Sequence, residues 1–165
     1  MAVTVKKAWT DCPFEWDQVQ DSYHELLQSN TLHLVIEDDE GRRKTYSFCF
    51  KGRDGVSGAV GFRCNGLSVP RPFRWFLPSW DEGNGLYNLA GALHDWLYAT
   101  NGAFGEWTRE ECDDIFRGIL REAGISRFKA GVADKAVEIF AGCGRHWCND
   151  DFHVSGLVCI DPASA

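Results

Sequence analysis

Thr31-Leu32-His33-Leu34-Val35-Ile36, the turn Asp38-Asp39-Glu40-Gly41 and Thr45-Tyr46-Ser47-Phe48-Cys49-Phe50 decide the class of fold. The two runs are alternating or β-branched, as strands with one buried face are, and the polar turn between them is short enough for a hairpin. A third strand is expected at Ala59-Val60-Gly61-Phe62-Arg63. Towards the N-terminus, Val19, Tyr23, Leu26 and Leu27 recur at roughly helical spacing, which predicts a short helix between Trp16 and Leu27.

Beyond the hairpin the pattern changes. Cys64 to Asn84 is rich in Gly, Pro and aromatics, and Pro70, Pro72 and Pro78 forbid a continuous helix or a central strand there. From residue 85 the period is helical. Leu86, Leu89, Ala90, Leu93 and Leu97 form one stripe of a helix ending near Asn101-Gly102. Thr108 with Glu111 is a capping-box pattern opening a second helix, with Cys112, Ile115, Phe116, Ile119 and Leu120 as its apolar stripe and Gly124 as its stop. A third helix is predicted over Arg127–Ala141, carrying Val132, Ala136, Val137 and Phe140. The short linker between the first two makes them an antiparallel pair. The expected fold is α+β in one domain of 165 residues: β-rich 1–63, a Pro/aromatic loop 64–84, a three-helix layer 85–142 and a tail 143–165.

Composition narrows the function. A net charge of −7 argues against nucleic acid as main partner. No run approaches the roughly 18 apolar residues of a membrane-spanning helix, and the first residues lack the apolar core of a signal peptide. The seven cysteines are odd in number and without framework spacing, as free thiols of a reducing cytoplasm would be.

The chemistry is concentrated in His94-Asp95-Trp96-Leu97-Tyr98. His94 adjoins the buried stripe of the first helix, and Asp95 lies about 100° further round, at the shoulder of that face. In the second helix Asp113 precedes Phe116 by three residues, so the period turns its carboxylate partly inward, whereas Asp114 should face solvent. An inward carboxylate needs a partner, because an unpaired buried charge is costly. Across the helix pair His94 is the obvious one. A carboxylate holding one imidazole nitrogen leaves the other as a general base. Asp95 is placed to hold a cation, and a hard ion such as Ca2+ would draw further oxygens from an irregular Gly-containing loop, for which Asn65-Gly66-Leu67 is suited. A His beside a helix stripe is also a common satisfied core residue.

The His-Asp-x-x-Tyr run resembles the catalytic helix of the secreted phospholipase A2 superfamily, and Arg109 followed by Asp113-Asp114-Ile115-Phe116 is similar to the next helix of its short bacterial members. By that resemblance His94 would be the base, Asp95 would hold catalytic Ca2+, Asp113 would orient the histidine and Tyr98 would support it. A second resemblance spans about Gly61 to Phe140: Cys64-Asn65-Gly66-Leu67-Ser68-Val69-Pro70-Arg71, Trp75, His94-Asp95-x-Leu97-Tyr98 and Arg109-x-x-x-Asp113-x-x-Phe116 are similar to a family of uncharacterised proteins of tailed phages and prophages. It implies a phage origin, with the protein in the host cytoplasm during infection or associated with the virion. Asn65 stands where that family usually has Asp, which removes one charged ligand for a cation. Disulfides like those of the secreted phospholipases have no clear counterpart.

Two further segments bear on function. Cys143, His146, Cys148, Asp150, Asp151 and His153 fall within eleven residues, a density that invites Zn2+, but the spacing fits no standard closed site and a polar turn at Gly142, Gly144 and Asn149 is the preferred reading. Trp75, Phe73, Phe76 and Trp80 with Arg71 and Arg74 make either an interaction surface, facing a membrane or a phage or host protein, or a lid over the helix pair. The expected activity is hydrolysis of a phospholipid or other ester; the alternative is a non-catalytic binding module that uses Arg71 and Trp75.

Overall fold

The fold was examined in a computed structural model, which describes residues 2–141 apart from 21–22, 54, 59–60, 65 and 68–74, together with 157–160. Antiparallel sheets occupy the N-terminal half and helices the C-terminal half, an α+β arrangement.

The hairpin forms as its pattern requires. Strands β4 (Asn30–Glu37) and β5 (Arg43–Phe50) pair antiparallel with Leu34 opposite Tyr46 and Leu32 opposite Phe48. Period-two burial is strict along β4: Leu32, Leu34 and Ile36 are buried, and the residues between them are half-buried. β1 (Thr4–Thr10) lies along the other edge of β4. The fourth strand comes from the far end of the chain: β7 (Leu157–Ile160) pairs with β5, giving the order β1-β4-β5-β7. That tail segment was not expected to join the sheet.

The helix expected between Trp16 and Leu27 is instead two strands. β2 (Trp16–Gln20) and β3 (Tyr23–Leu26) pair antiparallel, Trp16 opposite Leu26, and β3 also pairs with β6 (Arg63–Cys64) in a second sheet of order β2-β3-β6. Tertiary partners override the weak helical spacing here. Glu25, whose side chain is 3% exposed, accepts from Arg53 Nε and Nη2 at 3.0 and 2.6 Å and from the Gly61 N–H at 2.8 Å. Of the strand expected over 59–63, residues 59–60 lie outside the described residues, and among 61–63 only Arg63 is in a strand, β6. Gly61 lies outside it, with its backbone so close to the Leu26 carbonyl and the Arg53 amide that a Cβ would overlap both.

The helical layer comprises α1 (Gly85–Ala99), α3 (Arg109–Glu122) and α4 (Arg127–Ala141), with one extra short turn, α2 (Asn101–Gly105), in the linker. α1 is capped by Asn84, whose side chain accepts from the Tyr87 N–H, and α3 by a complete Thr108/Glu111 capping box. α2 is left-handed: Asn101, Gly102, Ala103 and Phe104 all have positive φ. Such a turn costs roughly 1–2 kcal/mol for each non-glycine residue. Gly102 explains its location, since a Cβ there would sit 1.8 Å from the Trp107 carbonyl oxygen. Along α4 Val132 packs against the core; the side chains of Ala136, Val137 and Phe140 lie outside what is described.

α1 and α3 pack against each other, and α3 also packs on β1, where Gly118 admits Val5. The buried faces of β4 and β5 close the core from below: Phe48 meets Trp96 of α1 edge-on and lies against Trp107, the residue before the α3 cap. With its lower side held by the sheet, the α1–α3 seam is a rigid place to mount polar groups.

Candidate functional site

The residues from Leu93 to Tyr98 are buried apart from Asp95, because α1 packs along α3 and its Trp96 meets Phe48 of the sheet. His94 therefore points into the seam between α1 and α3, where its ring is 4.8 Å from that of Phe116 and 4.2 Å from that of Tyr98. His94 is 5% exposed.

In that seam His94 Nε2 is 2.9 Å from Asp113 Oδ1, and the Tyr98 hydroxyl donates to the same oxygen at 2.6 Å. Arg109, at the start of α3, donates from Nε to the Tyr98 oxygen at 3.2 Å and lies over the Tyr98 ring. Residue 94 meets 113 while 98 meets 109, so the helices run antiparallel. The tautomer follows from the acceptor. An ionised carboxylate only accepts, so Nε2 carries the hydrogen and Nδ1 carries the lone pair. Burial pushes the Tyr98 phenol well above its usual range, with the bond to Asp113 acting the same way. Tyr98 is thus a donor throughout the physiological range and holds Asp113 as an acceptor.

Asp114 does not face solvent as expected. It is half-buried, accepts from the Val3 N–H at 3.3 Å and pairs with Arg117, fastening the start of the chain to α3. The placement of β1 beside α3 brings about this contact, and nothing local in the sequence announces it.

Asp95 lies on the face of α1 shared with Gly91, one turn earlier. It is half-buried, and among the described residues no group donates a hydrogen bond to it. Burial pushes its carboxyl up to about 6, and the nearby His94 offsets only part of that. The loop expected to supply further oxygens to a cation packs on the same face of α1. Gly66 packs on α1 at Gly91, so closely that a Cβ on Gly91 would be 2.9 Å from the Gly66 carbonyl oxygen and 3.1 Å from the Leu67 nitrogen. Gly66 itself has φ +74, and a Cβ there would strike the Ser79 carbonyl oxygen, which accepts from Leu67 N–H at 2.8 Å. Cys64 lies in the same corner: burial pushes its thiol up to about 12, the Gly66 N–H that bonds its sulfur works against this, and the Asp95 charge adds to it. Gly91 is the residue that the sequence reading missed. A glycine in mid-helix, four residues before the acidic residue of interest, was the available signal.

The oxygen donors at this corner are the Asp95 carboxylate and the backbone of the Gly66 turn, which presses on α1 where a side chain at position 91 would stand, and the Cys64 thiol beside them stays protonated. Hard oxygen donors from one carboxylate and carbonyls suit Ca2+ better than a softer ion. Asn65 lies outside the described residues, as do Arg71 and the Cys143, His146, Cys148 and His153 group. No cluster of three or more His, Cys, Asp or Glu side chains able to hold a metal occurs among the described residues, so a cation here would depend on backbone oxygens. Cys12, Cys49, Cys64 and Cys112 are free thiols, and among the described residues no helix is long and apolar enough to cross a membrane.

Trp75 is 85% exposed and is no lid, whereas Leu77 is buried and Phe76 and Trp80 pack against the core. Trp80 stacks on His24 at 3.6 Å and lies against the Gly66 turn, where a Cβ on Gly66 would be 3.1 Å from its ring.

Residues 44–137 match the model of a protein family described as "Protein of unknown function (DUF1353)". No curated protein and no solved structure matches the chain.

Proposed function

This chain belongs to the DUF1353 family, proteins of unknown function, and from that premise we propose that its α1–α3 seam is a hydrolytic site for a carboxylic ester, with His94 as general base. One observation carries the reading. Asp113 accepts from His94 and Tyr98 at the same oxygen, which leaves the histidine's other nitrogen as the basic one. This is also the arrangement that the resemblance to the phospholipase A2 superfamily implies.

In this reading His94 Nδ1 takes a proton from water as the water oxygen bonds to the ester carbonyl carbon. The imidazolium that forms is stabilised by the Asp113 carboxylate. As the tetrahedral intermediate collapses, the carbon–oxygen bond to the alcohol breaks and the imidazolium returns its proton to that oxygen. Tyr98 and Arg109 keep Asp113 and the ring in place and do not exchange protons with the substrate. Asp95, with the Gly66 carbonyl and Asn65, would hold Ca2+, which when bound supplies positive charge for the developing oxyanion. The phage or prophage setting, and the host cytoplasm or virion as location, belong to the same proposal.

The test is release of fatty acid from a fluorogenic phospholipid or a short-chain ester, with and without Ca2+. Wild type is expected to be active with Ca2+, and His94→Gln and Asp95→Asn are expected to be inactive while folded. Activity surviving in both variants would overturn the catalytic reading and leave the binding-module alternative.

A further inference from the structure

Two segments far apart in the sequence meet at the surface through aromatic rings. Trp75 is 5.5 Å from Phe76, and Phe76 meets Phe128, from the first turn of α4, edge-on at 6.0 Å. Trp75 is 85% and Phe128 74% exposed, so the cluster is held together at Phe76 and open at both ends. A soluble domain gains nothing by leaving two such rings in water.

Within the two segments that carry the cluster, the charged residues are all basic. Lys129 Nζ lies 4.9 Å above the Phe76 ring, and Arg127, next to Phe128, is exposed. In the chain Arg74 directly precedes Trp75, and Arg71 lies three residues further back. Neither 71–76 nor 125–131 contains a carboxylate, in a protein whose net charge is −7. The apolar rings and the local positive charge thus coincide on a molecule that is otherwise acidic.

We propose that this surface, Trp75, Phe76 and Phe128 with Arg127 and Lys129, docks on the anionic face of a lipid bilayer. Indole and phenyl rings partition into the boundary between headgroups and acyl chains, and flanking Arg and Lys meet the phosphates there without needing a shaped pocket. A protein partner in the same place would be anchored by aromatics seated in complementary pockets. The docking does not depend on the His94–Asp113 pair being active, because none of its residues belongs to that pair.

The test is co-sedimentation of the full chain with vesicles of pure phosphatidylcholine and of phosphatidylcholine with phosphatidylglycerol, using His94→Gln so that hydrolysis cannot alter the vesicles. Binding is expected on the anionic vesicles and to weaken with salt. Arg127→Gln with Lys129→Gln should weaken it about thirtyfold, from roughly fivefold per charge. Trp75→Ala with Phe128→Ala should reduce it at least about tenfold. Trp75, Arg127 and Phe128 are exposed and Lys129 is half-buried outside the core, so the variants fold. Phe104→Ala, which removes another exposed aromatic that meets Trp96, should leave binding unchanged. The proposal is overturned by failure to bind anionic vesicles, by equal binding of all variants, by an equal effect of Phe104→Ala, or by a dimer in sedimentation that Trp75→Ala dissolves.

Discussion

Asp95→Asn should stabilise the protein. Wild type holds this carboxylate where burial raises it to about 6, from an ordinary value of 3.8, and no described residue donates a hydrogen bond to it. The sign follows from linkage. The folded state binds the Asp95 proton more tightly than the unfolded chain, so stability from this group is greatest below about pH 4 and falls as pH rises through 6. Above that, the folded state carries the cost of a partly desolvated charge, about two pKa units or on the order of 2–3 kcal/mol. Asparagine fills the same volume and has no such cost. In a domain of this size the gain corresponds to a rise in Tm of roughly 5–10 °C. Thermal unfolding of wild type and Asp95→Asn in chelator at pH 4.5 and pH 8 measures it: the variant should be clearly more stable at pH 8, with the difference cut to about a third at pH 4.5. A carboxylate kept for structure gives the opposite result. If Asp95→Asn is destabilised at pH 8, or gains equally at both pH values, Asp95 is not a charge held at a cost for a ligand.

Asp113→Asn should lower hydrolysis by about 10²–10⁴-fold, because an amide no longer enforces the Nε2–H tautomer, and should cost about 1–3 kcal/mol in denaturant unfolding as His94 and Tyr98 lose a charged acceptor. Gly91→Ala should be destabilising by about 1–3 kcal/mol, despite the better helix propensity of alanine, because its Cβ meets only backbone atoms of Gly66 and Leu67. Its Ca2+ affinity by calorimetry should fall while the His94 environment is unchanged; a stabilised Gly91→Ala would refute the close approach. Glu25→Gln should cost about 2–3 kcal/mol near neutral pH. Burial raises the Glu25 carboxyl, but its bonds from Arg53 and Gly61 and the charge of Arg63 more than offset this and hold it low, so the difference from wild type should shrink as acid protonates it; an effect independent of pH would refute the ion pair.

Segments whose own pattern was strong were legible in the sequence. The β4–β5 hairpin carries strict alternation, and α3 carries both a capping box and an unbroken stripe, so local preference and tertiary packing agree. His94, Asp95 and Asp113 could be placed because helical period fixes direction, and two helices joined by a short linker have few ways to meet. The β2–β3 pair was not legible: its decisive interaction, Glu25 with Arg53 and Gly61, spans 28 and 36 residues. For the same reason Asp114 was turned to solvent in the sequence reading, although its partner is the backbone of Val3. The left-handed α2 turn is set by the approach of Gly102 to Trp107, and the cradle at Gly91 by a loop from the other half of the domain. For Glu25, Asp114 and Gly91 the missing information was a contact between residues distant in the sequence.

The central claim is that Asp113 fixes His94 with its hydrogen on Nε2 and the basic lone pair on Nδ1. Nitrogen-15 NMR of histidine-labelled protein, with His94→Gln to assign the signals, reads both ring nitrogens directly. The account predicts a protonated Nε2 and an unprotonated Nδ1 for neutral His94, lost or mixed in Asp113→Asn. A hydrogen on Nδ1 in neutral His94, or a tautomer indifferent to Asp113→Asn, would contradict it.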